Sequence, residues 1–171
     1  MLHLVQLPRV KMRKLMILFA LGAGLTNAAG AEFKGPVVRI TDGDTLTLRV
    51  DGKDVPVHLD GIDAPELDQP YGKSARRSLR ELCRGKEASV VERGKDDAGR
   101  ALGAVRCGDI DVNAEQVRRG FAWVHLRYLP LGSPLYEFEA NARLRGVGLW
   151  RAAEPVPPWE WRGRAQKAAK P

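Results

Sequence analysis

Val57-His58-Leu59-Asp60-Gly61-Ile62-Asp63-Ala64-Pro65-Glu66 alternates apolar and polar residues and then breaks at a glycine and a proline. Val57 and Leu59 fall on one face at the two-residue period of a strand, which puts His58 and Asp60 on the other. Gly61 lets the backbone turn. Pro65 fixes its own φ and pushes Ala64 toward an extended conformation, so Asp63 and Glu66 stand in a stiff corner and not on a swinging loop. A half-buried strand thus delivers carboxylates to one place, and gathered charge of one sign is costly unless something uses it.

Working back toward the N-terminus, the same pattern repeats. Val37 to Ile40 is a short apolar run, Asp42-Gly43 signals a turn, and Thr45 to Val50 alternates with Leu46, Leu48 and Val50 on one face. Asp51-Gly52 is a second hairpin signal, and Val55 to Asp60 alternates again. Residues 37 to 60 are therefore predicted to form a three-stranded antiparallel meander with one apolar face.

Working forward, the period changes. Leu79, Leu82 and Cys83 are spaced as on a helix over Lys73 to Arg84, with Gly85 in the C-terminal capping position. Ala88 to Val91 and Leu102 to Arg106 read as a fourth and a fifth strand, joined by the charged, glycine-rich loop Gly94 to Arg100. Asn113 is expected to cap a short helix, with Gln116 as its reciprocal partner, ending at Gly120. Ser133-Pro134 starts a third helix, which carries Leu135, Phe138 and Ala142 on one face and stops at Gly146. Five short strands with three helices suggest an α+β protein, a five-stranded OB-fold β-barrel with three α-helices.

Length and composition agree with one domain plus non-domain ends. At 171 residues, 44% hydrophobic and 29% charged, the chain can build a real core and is not disordered in the main. Lys11, Arg13 and Lys14 precede an apolar run from Leu15 to Leu25, and Ala29-Gly30-Ala31 matches an A-x-A cleavage site. Residues 1–31 are accordingly expected to be a secretory signal, of which 1–11 read as an over-extended start, with no stable membrane anchor after cleavage. The run is too short and too glycine-broken for a comfortable span. Cleavage leaves 24 basic residues against 21 acidic ones, a mild excess of +3 that tolerates a polyanionic partner without proving one. The mature protein is expected in a periplasm or outside the cell. Residues 32–152 form the domain, and 153–171 a Pro- and Trp-containing extension whose end, from Ala165, is expected to be unstructured. Cys83 and Cys107 form a bridge or remain two separate buried thiols; export favours the bridge.

Asp42, Asp44, Asp60, Asp63 and Glu66 all lie at the ends of the first three strands. Carboxylates and backbone carbonyls suit a hard cation such as Ca²⁺. The spacing is not that of an EF-hand, because Thr47 stands where the loop glycine would be. Asp42 is read as a turn residue and Asp60 as a solvated strand residue. Tyr71 and Tyr128 are candidate nucleic-acid contacts, since bases stack on exposed rings. Trp123 is read as core, Trp159 to Arg162 as packing back on the barrel, and Arg76 and Arg77 as a solvated helix face.

Asp42-Gly43-Asp44-Thr45, Gly61-Ile62-Asp63-Ala64-Pro65-Glu66, Gln69-Pro70-Tyr71-Gly72, Gly99-Arg100 and Gly148-Leu149-Trp150 together resemble the thermonuclease, or staphylococcal nuclease-like, family over about residues 35 to 150. No single piece is specific, but all five occur in order. The resemblance implies a Ca²⁺-dependent endonuclease acting on DNA or RNA as a monomer, cleaving on the 5′ side of the phosphate, with single-stranded nucleic acid as its partner. It assigns Asp44, Asp63 and the Ala64 carbonyl to the metal, Glu66 to the attacking water, and Arg100 to the scissile phosphate. Metal and guanidinium would neutralise charge growing on phosphorus while the carboxylate supplies a nucleophile.

One departure lies in the opening stretch. Family members usually carry a second phosphate-binding arginine where this chain has His58. Histidine is shorter, only partly charged near neutrality, and cannot make the bidentate fork. The expected outcomes are a slow nuclease with His58 as an accessory phosphate contact, a nuclease rescued by another basic residue such as Arg39 or Arg49, or an OB-fold module that binds nucleic acid or protein without cutting.

Overall fold

The computed structural model describes residues 30–125 and 129–168. The proposed signal up to residue 29 and Tyr128 lie outside the described residues. Strand β1 (Glu32–Ile40) is followed by β2 (Thr45–Val50), β3 (Lys53–Leu59), β4 (Ile62–Asp63), helix α1 (Gly72–Cys83), β5 (Glu87–Lys95), β6 (Ala101–Cys107), β7 (Ile110–Asp111), α2 (Val112–Arg118), β8 (Trp123–Val124), α3 (Pro134–Leu144) and α4 (Pro158–Ala168). The main sheet runs β3-β2-β1-β5-β6-β7, and β3 also pairs with β6 in parallel, which closes a five-stranded barrel. Closure removes the edges that β3 and β6 would otherwise present to other chains. The predicted α+β OB-fold barrel is the fold observed.

The meander is as the alternation predicted. Thr45 faces His58 and Leu46 faces Val57 across the β2–β3 ladder. Asp51 and Gly52 both have positive φ, as a two-residue hairpin turn requires. Leu46, Leu48, Val57 and Leu59 point inward and are fully buried together with Val90 and Val105. Truncating any one of these leucines to alanine is expected to cost about 2–5 kcal/mol.

Four helices, not three, are present among the described residues. The additional one, α4, runs through Ala165 to Ala168, which composition alone marked as unstructured. Its start is signalled by Pro158, a residue suited to the first helical turn. Two strands are also longer than their apolar runs. Glu32–Pro36 of β1 pairs with β5 while the second half of β1 pairs with β2, so ladder hydrogen bonds hold residues that hydrophobic alternation does not mark.

The second helix begins differently from its sequence reading. Asp111 is the cap, its side chain accepting from Ala114 N–H at 3.0 Å. Asn113 and Gln116 are inside the helix and buried, and both bond to other elements. Tertiary partners outcompeted the local capping box.

Cys83 at the end of α1 and Cys107 at the end of β6 form a disulfide. Both are fully buried, so the bridge ties helix to barrel from within. Trp123 is core, as read, with its ring edge-on to Trp150 at 4.3 Å between centroids and the Arg143 guanidinium 4.0 Å from the Trp150 centroid. No helix among the described residues is long and apolar enough to cross a membrane.

Candidate active site

A cleft of about 470 Å³ opens at one end of the barrel, and Asp44, His58, Asp63, Glu66, Arg100 and Arg162 are among the residues that line it. Topology explains the gathering. The β2–β3 register puts Thr45 beside His58, and the parallel β3–β6 pairing puts His58 beside Leu102, so the loop carrying Arg100 arrives at the same rim. Gly61 has φ +76°, and a Cβ there would meet the Leu129 side chain at 2.6 Å. The turn before Asp63 therefore favours glycine for its conformation, and a larger residue would also have to push the Leu129 side chain aside.

Asp44, like Asp63, is buried, 6% exposed. Its Oδ2 accepts from Ala64 N–H at 2.6 Å, which joins the first turn to the acidic corner, and its Oδ1 accepts from Thr45 Oγ1 at 3.1 Å. His58 Nδ1 stands 3.3 Å from the same Oδ1 and 3.2 Å from Thr45 Oγ1. Burial alone would raise the Asp44 carboxyl, but His58 and the Ala64 amide outweigh it and hold the group below the usual carboxylate range. For His58 burial acts downward and Asp44 acts upward; Asp44 wins, and the imidazole is more basic than usual. His58 thus addresses the aspartate as well as the cleft.

Arg100 is held by its own loop. It donates Nε–H to Asp96 Oδ2 at 2.6 Å and Nη1–H to Thr45 Oγ1 at 3.1 Å, while Asp96 Oδ1 accepts from the amides of Ala98 and Arg100. Nη2 of Arg100 has no partner among the described residues. Desolvation pushes Asp96 up, and Arg100 more than reverses it.

The acidic corner has a cation on it already. Arg162 of α4 donates Nη1–H to Asp63 Oδ1 at 3.1 Å and to Glu66 Oε1 at 2.7 Å, and Nη2–H to Asp63 Oδ2 at 2.8 Å. Asp63 nonetheless stays raised, because desolvation, assisted by Asp44, exceeds what Arg162 offsets. Asp42, behind them, is pushed up to about 7 by burial and by Asp44. It is a turn residue, as read, accepting from Asp44 N–H at 3.1 Å, yet it also lines the cleft.

Three amide side chains support this end of the barrel, and none was assigned a site role from sequence. Gln69 Oε1 accepts from Glu66 N–H at 3.1 Å, and its Nε2 donates to Val156 O at 2.6 Å, clamping the corner to the segment before α4. Gln116 Nε2 donates to Gly43 O at 2.6 Å and Ala75 O at 3.1 Å, fixing the Asp42–Asp44 turn from α2. A Cβ at Gly43 would lie 2.6 Å from Ala75 Cβ, so the turn could not approach α1 this closely with any other residue. Asn113 Nδ2 donates to Asp60 O at 2.8 Å. The only visible signal for Arg162 was its spacing, three residues after Trp159 behind a helix-starting proline.

Other residues are placed as follows. Asp60 is buried, not solvated; desolvation raises its carboxyl, and Arg93 at 3.4 Å partly offsets this. Arg49 is paired with Asp54 at the far end of the meander, Arg39 is exposed on β1, and neither lines the cleft. Arg76 is not simply solvated, since it donates to Ile40 O at 3.2 Å. Tyr71 has positive φ and lines a separate groove with Arg118, Arg119, Arg145 and Arg151. It does not line the acidic cleft.

The donor set fits a hard divalent cation. Asp44 and Asp63 offer carboxylate oxygens beside Ala64, and the Arg162 guanidinium stands in for a cation at Asp63 and Glu66. Among the described residues no group of three or more His, Cys, Asp or Glu side chains is close enough to hold a metal, so carbonyl and water oxygens would have to complete the shell.

Comparison with known proteins gives this arrangement a family. Residues 56–152 match the model for staphylococcal nuclease homologues. Over 151 residues the chain is 39% identical to a micrococcal nuclease of Shigella flexneri, covering 82% of this chain and 86% of the relative. It is 42% identical over 135 residues to an uncharacterized endonuclease of Escherichia coli O157:H7 (78% and 88% covered), and 38% identical over 128 residues to another of Haemophilus influenzae (74% and 71%). The family-model match takes in the acidic corner, and with relatives this similar over most of their length the chain belongs to the staphylococcal nuclease homologue family.

Proposed function

We propose that the chain is an exported, Ca²⁺-dependent endonuclease that hydrolyses phosphodiester bonds of DNA or RNA as a monomer. The observation that carries the reading is the convergence of Asp44, Asp63, Glu66 and Arg100 on one open cleft. The relatives named as nucleases support it. So does the buried disulfide, which suits an oxidising compartment and with it the expected export.

Each residue has a task that follows from its chemistry. Asp44 and Asp63, with the Ala64 carbonyl, would hold Ca²⁺, which when bound supplies positive charge against the phosphate oxygens. Glu66 Oε takes a proton from the attacking water as it approaches phosphorus. Arg100, fixed through Nε by Asp96, turns its Nη2 edge to the phosphate and stabilises charge that grows in the transition state. His58, beside Asp44 and Thr45, is an accessory contact.

A second reading has a specific observation behind it. His58 spends Nδ1 on Asp44 and Thr45, which favours a weakened or inactive module that binds nucleic acid or protein. Negative charge facing a phosphate serves a pure binder poorly, which favours the enzyme. The two part on incubation of the exported protein with single-stranded DNA and RNA, with Ca²⁺ or with a chelator. Cleavage that needs the metal supports the nuclease, and retention of both polymers intact with Ca²⁺ sinks it. Mass spectrometry of the same preparation checks for an N-terminus at Glu32.

A further inference from the structure

Arg162 reaches the acidic corner from the solvent side, on a side chain 44% exposed, and forks across Asp63 and Glu66. We propose that Arg162 is a phosphate-binding residue of this cleft, resting on Asp63 and Glu66 in the free protein and passing to a phosphate oxygen when a nucleic-acid strand enters. The inference rests on the nuclease reading.

Placement of α4 is the first support. Pro158 is buried, Gln69 holds Val156 O at 2.6 Å, and the Trp159 ring lies edge-on to Trp123 at 5.9 Å and to His125 at 5.4 Å. Trp159 and Arg162 are three residues apart on one helical face, and both line the cleft. Arg162 is therefore delivered by a packed helix and not by a loose tail.

Charge is the second. Asp42, Asp44, Asp63, Glu66, Asp96 and Asp97 line the cleft against two guanidiniums, Arg100 and Arg162. Arg100 has Nε on Asp96 and Nη1 on Thr45, so one edge remains for a phosphate. A phosphodiester brings further negative charge into this surface, and Arg162 is the second guanidinium there to meet it.

Exchange is the third. A guanidinium fork fits carboxylate and phosphate alike, so moving from one to the other trades one set of charge-assisted hydrogen bonds for another. While Arg162 donates to Glu66 Oε1 it occupies one of the two oxygens of the carboxylate assigned to take a proton from water. Passage to the phosphate releases that oxygen when substrate is present. The exposed side of Arg162 lets this happen without undocking α4.

The test compares wild type with Arg162→Ala, Arg162→Gln, Arg162→Lys and the double variant His58→Arg/Arg162→Ala. Cleavage of a single-stranded DNA oligonucleotide, Ca²⁺ affinity by calorimetry, and Tm are measured on each full-length exported protein. For Arg162→Ala and Arg162→Gln the expected kcat/KM is lower by about 10²-fold. Ca²⁺ should bind as well as before or more tightly, because a competing cation has left Asp63. Lysine should restore little, while a guanidinium at position 58, on the same cleft, should restore about tenfold or more of the loss. Cleavage by Arg162→Gln as fast as or faster than wild type overturns the proposal and makes the residue a plug. A parallel loss of Ca²⁺ affinity or Tm also overturns it, leaving only a structural role. These outcomes need an active wild type; a wild type that cleaves nothing sinks the nuclease reading and this inference with it.

Discussion

His58 Nδ1 lies 3.3 Å from Asp44 Oδ1, so the residue that departs from the family pattern is bonded to the aspartate assigned to the metal. This geometry gives His58 a supporting place and leaves the phosphate chiefly to arginine. His58→Ala should lower kcat/KM by about tenfold or less, whereas Arg100→Ala should lower it by about 10²–10³-fold. Steady-state kinetics on one oligonucleotide checks the order. Equal losses would show that the imidazole, too, bears on the transition state.

Gln116 reaches from α2 to the carbonyls of Gly43 and Ala75 while fully buried. Replacing it by leucine leaves the buried Gly43 carbonyl without its donor, at a cost of about 1–3 kcal/mol at most, while the Ala75 carbonyl keeps its partner within α1. The turn that carries Asp44 would then loosen. Tm should fall, and calorimetry should show Ca²⁺ affinity lower by about 10–100-fold, as when an outer support of a metal ligand is lost.

The Asp96–Arg100 pair predicts a pH dependence with a definite sign. Desolvation raises Asp96, but Arg100 lowers it further, and the net folded-state value lies below the ordinary carboxylate range of about 3.9. The pair therefore stabilises the protein above that range and is lost as pH falls through the lowered folded value. Asp96→Asn should be less stable than wild type at pH 7 by about 1 kcal/mol or less, for a pair this close to solvent. The gap should close in strong acid. Thermal melts of both proteins against pH would check this, and a gap that widens as acid is added contradicts it.

The Cys83–Cys107 bridge closes a sequence separation of 24 residues between α1 and β6. In the chain-entropy account such a loop stabilises by about 3 kcal/mol. The Cys83→Ala/Cys107→Ala variant should melt lower by that margin in denaturant titrations. Neither cysteine lines the cleft, so cleavage at temperatures where the variant is folded should be unaffected.

The barrel was legible because its strands alternate cleanly and Asp51-Gly52 dictates its turn. Those signals are local. What sequence missed is what depends on distant partners. Asn113 and Gln116 look like a capping pair until the fold offers them Asp60, Gly43 and Ala75 carbonyls, and those contacts span 53, 73 and 41 positions of chain. Arg162 is 99 positions from Asp63, and no periodicity links a helix after a proline run to an acidic corner beyond the third strand. The acidic residues themselves were readable because they gather at turns that the local sequence marks, although Gln116 and Gln69 then hold those turns from distant elements. Arg39 and Arg49 were candidate rescuers as basic residues of the meander, but Arg49 sits at the hairpin end opposite Asp54 and neither lines the cleft.

Glu66 bears the central claim, since it is the group assigned to activate water. Ca²⁺-dependent cleavage of a single-stranded oligonucleotide is to be measured for wild type and Glu66→Gln, with oligonucleotide and Ca²⁺ binding measured on the same samples. The account predicts a rate lower by about 10²–10⁴-fold with both bindings retained. A Glu66→Gln protein that cleaves at the wild-type rate would contradict it.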